Sequence, residues 1–399
     1  MKNRVLIAFA SVLASFVVAG CEDLSQESKS DQVYSSVGLD KVAEILAMVP
    51  LRSTHLDEVH QAVLSSTCNG YDEEYTMKHL FTSPGSGVGD QQTRSEHEFT
   101  EPLRDLIEDY VYSSYTKSSA GTAPEEFLSA LMESDVQIYW PYSERWDGQS
   151  LPIVTFDPED GSVANIGYKI VVDDDGFRHV QEVVVDEEMA SEMPVWVVNR
   201  NSDAGFTTLE MLRREDPHWG EGGGNIIIKP QKSMETKVNT SYKTLVLKDF
   251  TMNRNFDSWF AGASEFFVKI AYLEDFTAMT EAEMRLYDPM VTDFMIVIKR
   301  HQVGVPQEFN AVLMTDWSED IDWCAFMITE DDGGTRTEWS TKAKVYVKGK
   351  SYGFEMSIPL NSRDDVVWRG KLDYGWFDRM NGKPSVFGDV QLTFEVMEL

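Results

Sequence analysis

The spacing of apolar residues changes once along this chain, near Ser134, and that change restricts the folds it can adopt. Before this point apolar residues recur every three or four positions, as Leu39, Val42 and Leu46 do in a predicted helix that ends before Pro50. Beyond it, short runs rich in valine, isoleucine and aromatic residues are separated by turn signals. The pattern predicts an α+β fold, in which an N-terminal helical region is followed by mainly antiparallel β-sandwich modules.

The same patterns predict where the individual helices and strands lie. Helices are expected at 39–49, from Ser53 or Thr54 to 68, at 72–81, and after Thr100 and Thr122. Strands are expected at 136–140, 151–156, 168–172, 181–185, 195–198, 226–228, 243–247, 265–271, 293–298, 311–314, 325–329, 343–347, 352–357 and 390–396.

A glycine-rich loop at 220–224 interrupts the series of strands. It carries an acidic residue where a phosphate would lie, so we interpret it as a hinge and not as a nucleotide-binding loop. Three folded units are therefore predicted: a helical region at 38–134, a β-rich module at 135–224 and a β-sandwich module at 225–399.

The first 21 residues have the organisation of an export signal. Lys2 and Arg4 precede an apolar run of 14 residues, which is too short to cross a bilayer, and small residues lead to Cys21. This Val-Ala-Gly-Cys ending resembles the lipobox of bacterial lipoprotein precursors. The resemblance implies that residues 1–20 are a signal peptide and that Cys21 carries acyl chains, palmitate among them. The alternative is an uncleaved anchor with an ordinary thiol at Cys21.

Residues 21–37 are polar and rich in serine, and they predict a flexible tether that spans about 20 Å. The overall layout and the Asn-Gly-Tyr-Asp-Glu-Glu-Tyr stretch at 69–75 resemble uncharacterised secreted lipoproteins of Bacteroidetes. Glu22 and Asp23 resemble the surface-export signals of that group. The resemblance implies an outer-membrane lipoprotein, exposed on the surface, and no known activity.

The charge of the chain restricts its partners. It has 67 acidic and 35 basic residues, and removal of Lys2 and Arg4 with the signal peptide changes the net charge from −32 to −34. Nucleic acid and anionic lipid headgroups repel such a chain. We therefore expect membrane contact through the N-terminal lipid alone, a glycan or protein as the partner, and no nucleic acid.

Motifs for catalysis do not match their required spacing. His55 and His60 are five residues apart, whereas a zinc-protease helix needs two histidines four residues apart. The chain also lacks the Gly-x-Ser-x-Gly motif of α/β-hydrolases. We therefore predict a non-catalytic binding or interaction protein. The alternative is a hydrolase of cell-envelope or dietary polymer that uses a carboxylate pair, since a pair among 67 acids cannot be located from sequence.

Clusters of acidic residues in predicted turns provide oxygen ligands of the kind that Ca²⁺ prefers. The candidate calcium ligands are Asp331 and Asp332, with Asp320 as a partner. The alternative is that these clusters are solvated turns, which an acidic composition produces without a metal. No other cofactor is predicted.

Tryptophan is concentrated near the C-terminus, where five of the ten lie in the last 85 residues. Most are expected in the core, because tryptophan buries a large apolar area. Trp368 and Trp376 are the candidates for exposed rings that bind a ligand such as a sugar. Apart from Cys21, the chain has only Cys68 and Cys324, for which two free thiols are favoured over one disulfide.

Overall fold

The computed structural model describes residues 37–82, 101–115, 123–173, 175–202, 206–215, 243–273, 290–314, 317–332, 336–347 and 349–398. The lipobox, the tether up to residue 36, the glycine-rich loop at 220–224 and the strand predicted at 226–228 lie outside the described residues.

Most helices lie in the N-terminal part of the chain. They are α1 (Leu39–Met48), α2 (Ser53–Cys68), α3 (Met77–Phe81), α4 (Leu103–Tyr115), α5 (Pro124–Glu133), α6 (Glu187–Glu192), α7 (Leu209–Glu215) and α8 (Tyr374–Met380). In this described part of the chain, no helix is long and apolar enough to cross a membrane.

The strands form three sheets. They are β1 (Glu74–Thr76), β2 (Val136–Tyr139), β3 (Ile153–Phe156), β4 (Ala164–Val172), β5 (Arg178–Asp186), β6 (Val195–Arg200), β7 (Lys243–Met252), β8 (Ser264–Tyr272), β9 (Met290–Ile298), β10 (Gln307–Met314), β11 (Ile321–Glu330), β12 (Arg336–Val347), β13 (Lys350–Asn361), β14 (Asp365–Asp373), β15 (Pro384–Phe387) and β16 (Val390–Glu398).

The first sheet has the order β1-β2-β6-β3-β4-β5, and all its pairs are antiparallel except β3 with β6. Its strands β2, β3 and β6 alternate between two buried faces. On one face Trp196 and Val198 pack against the N-terminal helices in a shared core, and on the other Val195 and Val197 pack against Trp259 and Phe260. The helices α1 to α5 therefore share one core with this sheet.

The second and third sheets pack face to face as a sandwich. Their orders are β10-β7-β16-β15 and β13-β12-β11-β8-β9, and β14 also pairs with β11. The core between them is rich in aromatic side chains, among them Phe250, Phe266, Phe326 and Phe394. The fold class predicted from sequence, α+β with antiparallel sandwich-like sheets, is confirmed.

One local prediction was wrong, and one helix was not predicted. Residues 72–81 form the short strand β1 followed by α3 instead of one helix, because Glu74 and Tyr75 pair with β2. The helix begins only where the Thr76 side chain accepts a hydrogen bond from the backbone N–H of His79. Residues Tyr374–Met380, for which the sequence patterns predicted no helix, form α8, capped by Asp373, which accepts from the N–H of Trp376.

Candidate functional site

The first sheet and the sandwich meet at a segment we call the bridging loop, residues 253–263, which connects β7 to β8. Its Trp259 and Phe260 side chains pack into the core formed by one face of the first sheet. The Nδ2 atom of Asn199, on β6, donates to the backbone oxygens of Phe260 and Ala261 at 3.0 and 2.6 Å. Trp259 Nε1 donates to the backbone oxygen of Val163 at 2.9 Å. The loop is thus fixed to the first sheet by apolar packing and by hydrogen bonds.

Asp72, in the N-terminal part of the chain, contacts the bridging loop. Its Oδ2 accepts a hydrogen bond from the N–H of Ala263 at 2.9 Å, and burial raises the pKa of this carboxyl group. Gly262 has a φ of +137°, and a Cβ atom there would lie 2.7 Å from Asp72 Oδ2. Only glycine fits this position, because both the backbone conformation and the space exclude a side chain.

Two basic residues connect the two parts of the protein. The Arg300 guanidinium binds Glu187 through Nε at 2.7 Å and through a terminal nitrogen at 3.2 Å, and it also donates to the backbone oxygen of Asp257 at 3.1 Å. Lys299 Nζ lies 3.7 Å from Glu73 Oε1. Burial raises the pKa of Glu73 to about 8, while the positive charge of Lys299 opposes that rise.

Beside this contact lies a group of three carboxyl groups that we call the acidic trio: Asp257, Glu330 and Asp332. One carboxylate oxygen from each lies within 4.8 Å of the others. Asp257 belongs to the bridging loop, Glu330 is the last residue of β11, and Asp332 follows two residues later. The trio forms because β11 is paired with β8, which the bridging loop enters.

The three carboxyl groups of the trio differ in their exposure to solvent. Glu330 is only 1% exposed, Asp257 is half-buried and Asp332 is exposed. Among the described residues no N–H or O–H group donates to Oε1 of Glu330 or to Oδ2 of Asp257. Burial raises the pKa of Asp257 to about 6, and burial together with the Asp257 and Asp332 charges raises the pKa of Glu330 to about 12. The trio therefore contains more acceptor oxygens than nearby donors.

The three calcium candidates from sequence do not lie together. Asp332 belongs to the acidic trio. Asp331 adjoins it but contacts a different group, since Nδ2 of Asn361 donates to its Oδ1 at 3.2 Å. Asp320 precedes the first residue of β11, whereas Glu330 ends that strand, so about 30 Å of extended chain separates them.

Both candidate ligand-binding tryptophans are half-buried against the sandwich core. Trp368 has its ring centroid 5.0 Å from that of Phe387 and 6.0 Å from that of Phe326. Trp376 lies 5.0 Å from Phe377 in an edge-on arrangement. Each ring therefore offers only part of its surface to a ligand, and a role in sugar binding stays a prediction.

The sequence assigned His55, His60, Cys68 and Cys324 to no site. In the structure each of them has different neighbours. His60 packs against Trp140 and Trp146 with ring centroids 5.5 and 5.1 Å away. His55 accepts a hydrogen bond through Nδ1 from the N–H of Arg52. Cys68 is exposed and Cys324 is buried, and both are free thiols, as favoured from sequence.

The last notable surface is the hairpin of β4 and β5, which we call the exposed hairpin. The strand β5 is at the edge of the first sheet. Five large apolar residues are exposed here, four in the hairpin and one, Val163, just before it: Val163, Ile166, Val172, Phe177 and Val184. Ile166 and Val184 are directly opposite each other across the two strands. Exposed apolar side chains along a sheet edge are a typical contact surface.

Taken together, these observations define an α+β protein in which a helix-covered sheet and a β-sandwich meet at a buried polar contact with an acidic trio beside it. No protein-family model, curated protein or solved structure matches the chain. Asp257 and Glu330 were missed from sequence as members of one site, and the available signal was limited to the acidic run 330–332.

Proposed function

We propose that this chain is a lipid-anchored, non-catalytic binding protein of the bacterial cell envelope, exposed at the outer membrane. The lipobox at 18–21 and the polar tether after Cys21 support the anchor. The net charge of −34 after removal of the signal peptide supports membrane contact through lipid and not through the protein surface.

The exposed hairpin carries the proposal of a binding role. Phe177 and Val184 are 70% and 67% exposed, and β5 leaves one side of its backbone without a neighbouring strand among the described residues. Water-exposed apolar groups beside a free strand edge favour a protein partner that adds a strand or covers the edge. A glycan is the second kind of partner, and the half-buried Trp368 and Trp376 are its candidate contacts.

Site-specific photocrosslinking in intact cells tests the binding surface. A photoreactive amino acid at 177 or 184 should give a discrete adduct with a partner protein. Val386 provides a matched control, because it is 69% exposed on β15 of the sandwich and should give none. Equal adducts at 386, or no adduct from either hairpin position, would contradict the role of the hairpin.

The lipid anchor is tested separately. Cys21→Ser should abolish incorporation of radiolabelled palmitate and release the chain from the membrane fraction. Protease treatment of intact cells should degrade the unmodified protein if it is displayed on the surface. A Cys21→Ser protein that remains in the membrane fraction would exclude the lipid as its anchor.

One observation favours the alternative of a hydrolase: the pKa values of Asp257 and Glu330 are pushed apart, as in acid–base pairs. Their oxygens, however, lie within 4.8 Å of each other. Glycosidases separate the two carboxyl groups by about 5–5.5 Å or about 6.5–9.5 Å. Cleavage of envelope polysaccharide by the unmodified protein, with loss in Asp257→Asn, would establish the alternative instead.

A further inference from the structure

The acidic trio requires an explanation because it brings three carboxyl groups together and leaves Oε1 of Glu330 and Oδ2 of Asp257 without a hydrogen-bond donor among the described residues. A buried acceptor that lacks a hydrogen bond destabilises the folded state by about 1–3 kcal/mol, and more when it is charged. Glu330 is 1% exposed, and among the described residues nothing donates to its Oε1. Without a cation the Glu330 and Asp257 carboxyl groups form a side-chain hydrogen bond, so the pair must hold a proton.

Two basic side chains offset the charge of the trio only in part. Arg300 lowers the pKa of Asp257 and Arg363 lowers that of Asp332, but burial has the larger, opposite effect on both carboxyl groups. Arg300 directs its guanidinium to the carboxylate of Glu187 and to the backbone oxygens of Asp257 and Gly262. A positive charge from outside the chain would compensate the carboxylates directly. The exposed Asp332 leaves a route from solvent to the buried oxygens.

We infer that Asp257, Glu330 and Asp332 form a binding site for a divalent cation of the calcium class. Ca²⁺ takes six to eight oxygens at about 2.3–2.6 Å, so two ligands on opposite sides are about 4.6–5.2 Å apart. The trio oxygens, within 4.8 Å of one another, fit around such an ion. Three carboxylates supply up to six oxygens, and water completes the shell at the exposed side.

The position of the site gives the ion a structural role. Asp257 begins the part of the bridging loop that inserts Trp259 and Phe260 into the first sheet, whereas Glu330 ends a central strand of the sandwich. An ion that binds both carboxylates joins the loop to the end of β11. It therefore holds the bridging loop in the conformation that packs on the first sheet.

Calcium binding by the full chain, purified in detergent and treated with chelator, tests this inference. Titration calorimetry with CaCl₂ should show one tight site. Glu330→Gln should abolish binding, and Asp332→Asn should weaken it by at least about tenfold. Asp320→Asn is the matched control, because Asp320 lies at the other end of β11 and its loss should leave binding unchanged.

Misfolding of the variants is separated from loss of the ligand. Glutamine keeps the shape of Glu330 and is neutral, like the protonated carboxyl group of the metal-free site, so the metal-free Glu330→Gln protein should melt no lower than the metal-free unmodified protein. Hydrogen exchange of residues 253–263 should slow with Ca²⁺ in the unmodified protein and not in Glu330→Gln.

Three results would overturn the inference. The first is no calcium binding at up to about 5 mM, above the range of extracellular calcium modules, which would leave a shared proton as the explanation of the trio. The second is binding that survives both trio substitutions. The third is Mg²⁺ binding as tight as that of Ca²⁺, which would exclude the calcium class. Calcium binding without slower exchange in the bridging loop would overturn the structural role.

Discussion

Replacement of Phe260 by alanine should measure how much the packing of the bridging loop contributes to the free energy of unfolding. Phe260 is fully buried, and its ring packs with Trp259 against Val195 and Val197 of the first sheet. A phenylalanine side chain buries about 150–250 Å². At about 25 cal/mol per Å² this corresponds to about 4–6 kcal/mol, an upper bound, because the unfolded chain already buries part of that area.

Measured Phe→Ala substitutions in protein cores cost about 3–5 kcal/mol, in agreement with this value. We therefore expect Phe260→Ala to lower the free energy of unfolding by about 3–5 kcal/mol. The hydrogen bond that Asn199 donates to residue 260 uses the backbone oxygen and should persist.

Urea unfolding followed by tryptophan fluorescence measures this loss. Val386→Ala is the control, because Val386 is exposed and its substitution should change the stability by less than about 0.5 kcal/mol. Hydrogen exchange should show the largest increase on the face of the first sheet that contacts the loop. A Phe260→Ala protein destabilised by less than about 1 kcal/mol would refute the reasoning, because the loop would then contribute little to the packing of the sheet.

Three further predictions use other parts of the molecule. The raised pKa of Glu73, about 8, means that the folded protein binds a proton that the unfolded chain releases above about 4.5. Stability should therefore fall between pH 5 and 8, and Glu73→Gln should reduce that fall; an unchanged pH profile of unfolding would contradict the burial of this carboxyl group. Gly262→Ala should destabilise more than Gly148→Ala in thermal melts, since both have positive φ but only the first would meet another atom; equal losses would mean that the space around residue 262 is not limiting. Cys68 should react rapidly with a thiol reagent in the native protein, whereas burial raises the pKa of Cys324 to about 12 and should keep it unreactive; two fast thiols would contradict this.

Much of the fold could be predicted because local patterns and tertiary packing agree. The residues at 195–198 alternate between two apolar faces, and both faces are buried in the structure. The pattern shows a strand, but it contains no information about which segments cover it. Contacts with the helices and with residues 259–260 come from distant parts of the chain.

The errors arose where tertiary pairing overrides local preference. Glu74 and Tyr75 have helix-compatible spacing with the residues after them, yet they pair with Tyr139 and Ile138 of β2. Strand β14 was missed because its acidic and glycine residues indicate turns, whereas its register with β11 determines its conformation.

The acidic trio could be predicted only in part for a similar reason. Asp332 was found because acidic residues cluster around it in sequence. Asp257 lies 73 positions before Glu330 and reaches it only through the pairing of β8 with β11. With 67 acidic residues in the chain, sequence alone cannot select this combination.

The bridging loop also affects the order in which the chain can complete its structure. The last strand of the first sheet ends at Arg200, but the side chains that cover its second face are at positions 259 and 260. The chain is synthesised with its N-terminus first. This face of the first sheet therefore stays open to water until about sixty residues after Arg200 have been added. During this interval Val195 and Val197 are available to wrong partners, so chaperone dependence should be greatest for chains truncated between residues 200 and 260.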